Sequence, residues 1–174
     1  PFNEAKRGEI RKYALEIARK HRYDIDPPGF IAGIEESLRE TQEAGLKNIL
    51  LTTGGRRYKH DAMEKAGLGG YFEEIVDRDQ TYYAKEQGIY SLYRKHRPQH
   101  MRVILLSGTA SYLKAGHNAH GCKVGDSFLE VIPIALATEH AYNDEETLAA
   151  AKPRAIIHRF DELLPVIKQL APLG

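Results

Sequence analysis

The amino-acid sequence predicts an α/β protein with a Rossmann-like parallel sheet flanked by helices. Short apolar runs alternate with amphipathic stretches along the chain, and two of the runs end in loops rich in hydroxyls and glycine. Alternating βα units place parallel strands in one sheet and cover both of its faces with helices. The predicted strands are Ile49–Leu51, a short strand around 75–76, 103–106, 131–134 and Ala155–Ile157.

Helical periodicity fills the segments between these strands. Apolar residues recur at three- and four-residue spacing, and glycine or proline marks several of the ends. The predicted helices span 4–21, 30–45, 59–66, 86–94, 111–120, 144–150 and a final stretch before the C-terminus. Because Pro27 and Pro28 interrupt the chain, we expect a helical N-terminal segment at 1–26 and an α/β core at 27–174.

The composition describes one globular domain without a polyelectrolyte partner. The chain has 174 residues, a net charge of +1 and 42% apolar residues. Near neutrality gives no reason to expect nucleic-acid binding, and no apolar run approaches the roughly 20 residues of a membrane helix. Cys122 is the only cysteine, so no internal disulfide can form, and we expect a cytoplasmic protein without membrane contact.

Two loops follow predicted strands at the carboxyl ends, where parallel α/β sheets bind ligands. The first loop reads Thr-Thr-Gly-Gly at 52–55 and the second reads Ser-Gly-Thr at 107–109. Hydroxyls and backbone N–H groups before a helix suit an anion such as phosphate, and glycine lets the backbone approach it. Turns that need positive φ, with threonine capping the next helix, have the same composition, so both interpretations stay open. The expected ligand-binding residues are Thr52, Thr53, Gly54, Ser107, Gly108 and Thr109.

Four longer segments occur in the order and spacing of a known family. They read PPGFIAGIEESLRETQEAGLKNILLTTGG, AMEKAGLGGYFEEIVDRDQTYYAKEQGIYSLYRKH, LKAGHNAHGCKV and EETLAAAKPRAIIHRFDELLPVIKQL. Over residues 24–170 the chain resembles the haloacid dehalogenase (HAD) superfamily, and within it the phosphoglycolate-phosphatase-like branch. The resemblance implies Mg²⁺-dependent hydrolysis of a small phosphate ester. It also implies that Thr52 binds the transferred phosphoryl group, beside Thr53 and Gly54, and that Lys85 steadies the nucleophile and the phosphate.

The nucleophile motif of this family does not align. The family places its nucleophile on an apolar strand that ends in Asp-x-Asp, before the proline-glycine step. The one Asp-x-Asp at that place, Asp24-Ile25-Asp26, follows the charged stretch RKHR, which does not fit a buried strand. Residues 1–23 resemble the last helix of the family's cap insertion, and we expect the nucleophile strand to be absent from this chain.

The acidic metal motif is also replaced. Alignment on the segment LKAG places Ser107 and Gly108 at the family's Gly-Asp positions and Tyr112 at its second acid. Mg²⁺ sites use at least one or two carboxylates, which these residues do not supply. A competing alignment uses Asp126 and Glu130 in VGDSFLEV.

Histidines offer a weaker alternative metal site. His117 and His120 are three residues apart on a predicted helix, and His140 or His158 could join them. Without a cysteine partner or a His-Glu pattern, scattered surface histidines are the favoured interpretation.

These observations predict a HAD-like phosphatase-type domain that is incomplete or catalytically impaired as it stands. Thr52 and Lys85 are its expected catalytic residues, a small phosphorylated molecule or phosphate is its expected partner, and Mg²⁺ is expected only if the domain is active. The alternative is a non-enzymatic module of the same fold that binds an anion or a partner protein. Loss of the central strand would leave an unpaired sheet edge, so we expect a homodimer or a rebuilt edge.

Overall fold

A computed structural model describes residues 31–53, 62–77, 84–96 and 100–172. The predicted helix at 4–21, the Asp-x-Asp sequence and Gly54 lie outside these ranges, as does the proposed boundary after residue 26. The domain division therefore stays a prediction.

Five helices and six strands have both ends within the described residues, and residues 62–65 are helical as well, inside the predicted helix at 59–66. The helices are α1 (Ile34–Glu43), α2 (Lys85–His96), α3 (Ala110–Ala119), α4 (Glu145–Ala150) and α5 (Leu163–Leu170). The strands are β1 (Ile49–Leu51), β2 (Glu74–Val76), β3 (His100–Ser107), β4 (Lys123–Val124), β5 (Ser127–Leu136) and β6 (Ala155–Ile157). Two short 3₁₀ helices, Gly69–Tyr71 and Phe160–Glu162, complete the order.

The strands form two sheets, and nearly all of the pairing is parallel. In the first sheet β1 pairs with β2, with Ile49 opposite Glu74 and Leu51 opposite Val76. In the second sheet β3 and β6 both pair with β5 in parallel. The predicted α/β class with a parallel sheet is confirmed.

A short antiparallel hairpin was not predicted from the sequence. Strand β4 pairs with the beginning of β5, and Gly125 and Asp126 form the turn between them. Gly125 has φ +62°, which favours glycine in a tight turn. Strand β5 consequently begins at Ser127, four residues before the start that apolar composition predicts.

Helices cover both faces of the second sheet because β5 presents apolar side chains on alternating sides. Ile132 and Ile134 pack with Ile167 of α5, and Ile34 of α1 joins them. Leu129 and Val131 point to the opposite side, where they pack with side chains of α2 and α3. This two-sided burial explains why the strand reads as a continuous apolar run.

Strands β1 and β3 lie at edges of the two sheets that the described residues form. In the described part of the chain β1 pairs only with β2, and β3 pairs only with β5. The two sheets nevertheless share a core, since Leu51 packs against the cluster that contains Ile89 and Leu105. All three β1 residues are half-buried, whereas β5 is fully buried from Val131 to Leu136. The incomplete burial of β1 agrees with its place at the edge of the described sheet.

Helix α3 is fixed on the second sheet by small and apolar residues. A Cβ added to Gly116 would lie 2.7 Å from Leu105 Cδ2 and 3.2 Å from Val131 Cγ1, so the helix backbone packs directly on β3 and β5. Leu113 is fully buried on the same helix. This packing positions the first turn of α3 at the carboxyl end of β3.

Replacing Leu113 by alanine is therefore expected to lower the free energy of unfolding by about 3 kcal/mol, because it empties a fully buried site. Urea unfolding measures the change. Lys114→Ala, at the exposed neighbouring position, is the control and should stay within about 0.5 kcal/mol of the wild type. Equal stability of Leu113→Ala and the wild type would contradict the assigned packing of α3.

Candidate anion site

The predicted first loop begins at the carboxyl end of β1. The backbone N–H of Thr52 donates to the carbonyl of Val76 at 2.8 Å and so extends the β1–β2 ladder by one bond. Only 8% of Thr52 is exposed, and Thr53 is half-buried. The strand pairing thus holds the Thr52 backbone at the point where the parallel strands end.

Tyr112 brings the first turn of α3 to this point. The backbone N–H of Thr53 donates to the Tyr112 hydroxyl at 3.0 Å. The bond connects the end of β1 with the helix that follows β3, and it spans 59 positions of sequence. The ends of β1 and β3 are consequently neighbours, although their backbones do not pair.

Lys85 reaches the same place from the beginning of α2. Its ammonium lies 4.8 Å from the centroid of the Tyr112 ring, within the distance of a cation–π contact. Both side chains are half-buried. We call Thr52, Thr53, Lys85 and Tyr112 the β1-end site; it contains three of the sequence-predicted residues and one, Tyr112, that the alignment placed at an expected metal ligand.

The Lys85 ammonium gives the β1-end site hydrogen-bond donors that no described acceptor uses. Within the described ranges the Lys85 ammonium has no carboxylate within ion-pair distance and no hydrogen-bond acceptor. A half-buried ammonium is stabilised by an anion, because an opposite charge offsets the cost of removing it from water. The arrangement is therefore complementary to an oxyanion.

The second predicted loop folds back on the chain. The Ser107 hydroxyl accepts a hydrogen bond from the N–H of Thr109 at 3.0 Å, and the side-chain oxygen of Asn143 accepts one from Ala110 at 2.8 Å. Asn143 also donates its own N–H to the carbonyl of Gly108 at 3.1 Å. Two N–H groups at the start of α3 thus have internal acceptors.

Gly108 is enclosed by the same segment. A Cβ at this position would lie 3.2 Å from Ala141 Cβ and 3.3 Å from the carbonyl oxygen of Leu136. Gly108 therefore serves close packing of the loop. Ligand binding by Ser107, Gly108 and Thr109 stays a prediction.

The residues at the expected metal positions do not form a Mg²⁺ site. Ser107, Gly108 and Tyr112 carry no carboxylate, and the part of the chain that the structure describes has no group of three or more His, Cys, Asp or Glu residues able to hold a metal ion. The competing motif lies elsewhere. Asp126 is exposed in the β4–β5 turn, at the start of β5, and Glu130 pairs with Arg102 at 2.6 Å. The competing motif does not lie at the carboxyl end of a parallel strand. The fold therefore excludes the alignment that uses Asp126 and Glu130 as the acidic metal motif.

The histidines bond to the backbone or to exposed acids. The Nε2 atom of His117 lies 2.8 Å from the carbonyl of Lys152, and Nδ1 of His120 lies 3.1 Å from the N–H of Val131. His140 and His158 are exposed beside single glutamates. Their rings do not converge on a common point.

Asp77 is a residue that the sequence analysis did not select. It directly follows β2 and is only 3% exposed, which makes it a buried acid at the edge where β1 also ends. Buried aspartates are uncommon without a partner, so its place has a structural or functional reason. An acid immediately after the apolar strand in FEEIVD was the available signal.

Relatives among curated proteins are phosphoglycolate phosphatases. The chain is 24% identical over 136 residues to the enzyme of Vibrio vulnificus and 22% identical over the same length to that of Vibrio parahaemolyticus. In both cases the match covers 77% of this chain and 54% of the relative, so the match spans about half the length of these proteins. No protein-family model matches the chain.

Solved structures show the same fold. A haloacid dehalogenase-like hydrolase from Streptococcus pneumoniae superposes with a TM-score of 0.72 at 15% identity, covering 95% of this chain and 72% of that protein. A protein described as a predicted phosphatase from Clostridium acetobutylicum gives 0.63 at 18% identity, covering 79% and 59%. The predicted resemblance to the HAD superfamily is confirmed, and the chain has a HAD-like fold.

Replacing Asn143 by alanine is expected to lower the free energy of unfolding by about 1 kcal/mol, because Ala110 at the start of α3 loses its acceptor. Asn143→Asp keeps an acceptor at the same position and should retain wild-type stability or exceed it. Thermal and urea unfolding of both variants test this assignment. An alanine variant as stable as the wild type would show that Asn143 does not cap α3.

Proposed function

We propose that this chain, a HAD-like domain of the phosphatase type, binds a small phosphorylated molecule or inorganic phosphate at the β1-end site. The observation that supports the proposal most directly is the convergence of Lys85 and Tyr112 on the N–H side of Thr53. Lys85 supplies positive charge, and Tyr112 and the two threonines supply hydroxyl groups. Gly54 would let the following loop approach the ligand.

The chemistry proposed for this site is hydrolysis of a small phosphate ester, in a domain that is incomplete or impaired as it stands. Phosphoryl transfer through a covalent intermediate needs a placed nucleophile and groups that offset the charge of the phosphate. Lys85 and Thr52 can bind and orient a phosphoryl group, whereas neither is a carboxylate nucleophile. Mg²⁺ belongs to this proposal only for the active form, because its expected ligands are replaced by Ser107, Gly108 and Tyr112.

A binding module without catalysis is the second candidate. The described residues of the β1-end site provide donors and positive charge, but they provide no carboxylate to attack the phosphorus atom. Such a module would hold phosphate, or a phosphorylated molecule, without turnover.

The location and partners follow from charge and composition. We place the protein in the cytoplasm, in agreement with its single cysteine, and expect neither nucleic acid nor membrane as a partner at a net charge of +1. No helix in the described ranges is long and apolar enough to cross a bilayer.

The Lys85→Ala variant tests the proposed site. Phosphate-ester hydrolysis with Mg²⁺ and thermal stabilisation by phosphate are measured on the wild type, on Lys85→Ala and on Lys114→Ala, an exposed lysine of α3. For Lys85→Ala we expect a hydrolysis rate, or a phosphate affinity derived from the thermal stabilisation, that is lower by about tenfold or more, because a charge-assisted contact disappears. Lys114→Ala should behave like the wild type.

The outcomes separate the two candidate functions. Turnover that depends on Lys85 supports the phosphatase, and phosphate stabilisation without turnover supports the binding module. If the wild type shows neither response, or if both lysine variants respond equally, the proposed site is wrong.

The edges of β1 and β3 that pair with no described strand predict self-association. Unpaired strand edges bordered by half-buried apolar side chains tend to pair with another chain, so we propose a homodimer. Light scattering at several concentrations is expected to give twice the mass of the 19.6 kDa chain. A monomer at every concentration would contradict this expectation.

A further inference from the structure

We propose that Tyr112 is itself a ligand of the bound anion, and that the β1-end site binds phosphate without a divalent cation. The proposal rests on the phosphate-binding function proposed above and goes beyond it in naming an additional residue and the charge balance of the site. It starts from the contacts that the Tyr112 hydroxyl and the Lys85 ammonium make.

The Tyr112 hydroxyl accepts one hydrogen bond and can still donate another. Its oxygen accepts the N–H of Thr53 at 3.0 Å, and among the described residues its proton has no acceptor. A phenol that accepts one hydrogen bond becomes a better donor for the next, because the bonds polarise one another. An oxyanion beside Tyr112 would therefore receive a hydrogen bond that is strengthened by the Thr53 amide.

The Lys85 ammonium is held by the face of the same ring. The cation–π contact, at 4.8 Å from the ring centroid, holds the ammonium beside Tyr112. Among the described residues the ammonium forms no ion pair with a carboxylate. Its remaining N–H groups can bond to the ligand that the hydroxyl contacts. One tyrosine thus places two donors, its own O–H and the ammonium, at the end of β1.

This donor set takes the place of a metal ion. A divalent cation at this position would need carboxylates. The position that the resemblance assigns to the second acid carries Tyr112 instead, with the Lys85 ammonium against its ring. Asp77 is a buried acid that directly follows β2, the strand paired with β1. The charge that stabilises a phosphate here comes from Lys85, and the site is expected to bind the anion when Mg²⁺ is removed.

The test is calorimetric titration of the full chain with inorganic phosphate, in EDTA and again in Mg²⁺. Tyr112→Phe removes the hydroxyl and keeps the ring beneath Lys85. Tyr90→Phe is the matched control, because the Tyr90 hydroxyl bonds to the carbonyl of Asn118 at 3.1 Å and so also links α2 to α3, away from the site. We expect phosphate to bind in EDTA, about tenfold more weakly to Tyr112→Phe and within about twofold of wild type to Tyr90→Phe.

Each outcome decides one statement. Wild-type binding that Tyr112→Phe leaves unchanged refutes the role of Tyr112 but keeps the proposed function, and binding seen only with Mg²⁺ refutes metal independence. Absence of wild-type binding under both conditions refutes the proposed function itself. If Tyr112→Phe does not fold, the Thr53 amide resonance of the wild type still decides: it should shift during phosphate titration in EDTA, and no shift would overturn the proposal.

Discussion

The hydrogen bond from the Thr53 N–H to the Tyr112 hydroxyl is the contact on which the geometry of the candidate site depends. Strands β1 and β3 do not pair, so the backbone ladders that normally align neighbouring strand ends are missing between them. A side chain from α3 makes the connection instead. Helix α3 can do this because Gly116 and Leu113 fix it tightly on the second sheet. A change in the rotation of α3 about its axis would break this link, because neighbouring side chains on a helix point in different directions.

The sequence predicts those parts of the fold whose cause is local. The predicted bounds of β1 and β6 match the observed ones because each strand is a short apolar run between polar neighbours. The beginning of β5 was missed because Phe128 is exposed and Ser127 and Glu130 are polar, so apolar composition marks only the part of the strand from Val131 onward. Gly125 and Asp126 carried the information, but a Gly-Asp pair fits a hairpin turn and an acidic motif equally well, and only pairing of β4 with β5 separates the two.

The candidate site shows where local pattern stops being informative. The loops at 52–55 and 107–109 have the same chemistry in sequence, yet the second is closed by Asn143, which lies 33 positions from the N–H that it accepts. From the sequence, Tyr112 could be identified only as a residue that stands where the second acid of the metal motif is expected. Its contact with Thr53 crosses 59 positions, and its contact with Lys85 depends on how α2 packs on α3. Such pairings follow from tertiary structure, and no single segment encodes them.

Binding and chemistry make different demands on this edge of the sheet. Binding an oxyanion needs donors held in place, and the Tyr112 phenol and the Lys85 ammonium can satisfy that need without a strand pairing between β1 and β3. Phosphoryl transfer needs in addition an atom aligned for attack, and a displacement of about 1 Å can cost two orders of magnitude in rate. Among the described residues β1 is half-buried and pairs on one side, so it fixes its own end less firmly than a central strand would. The proposed recognition of a phosphoryl group therefore makes weaker demands on this edge of the sheet than the proposed catalysis does.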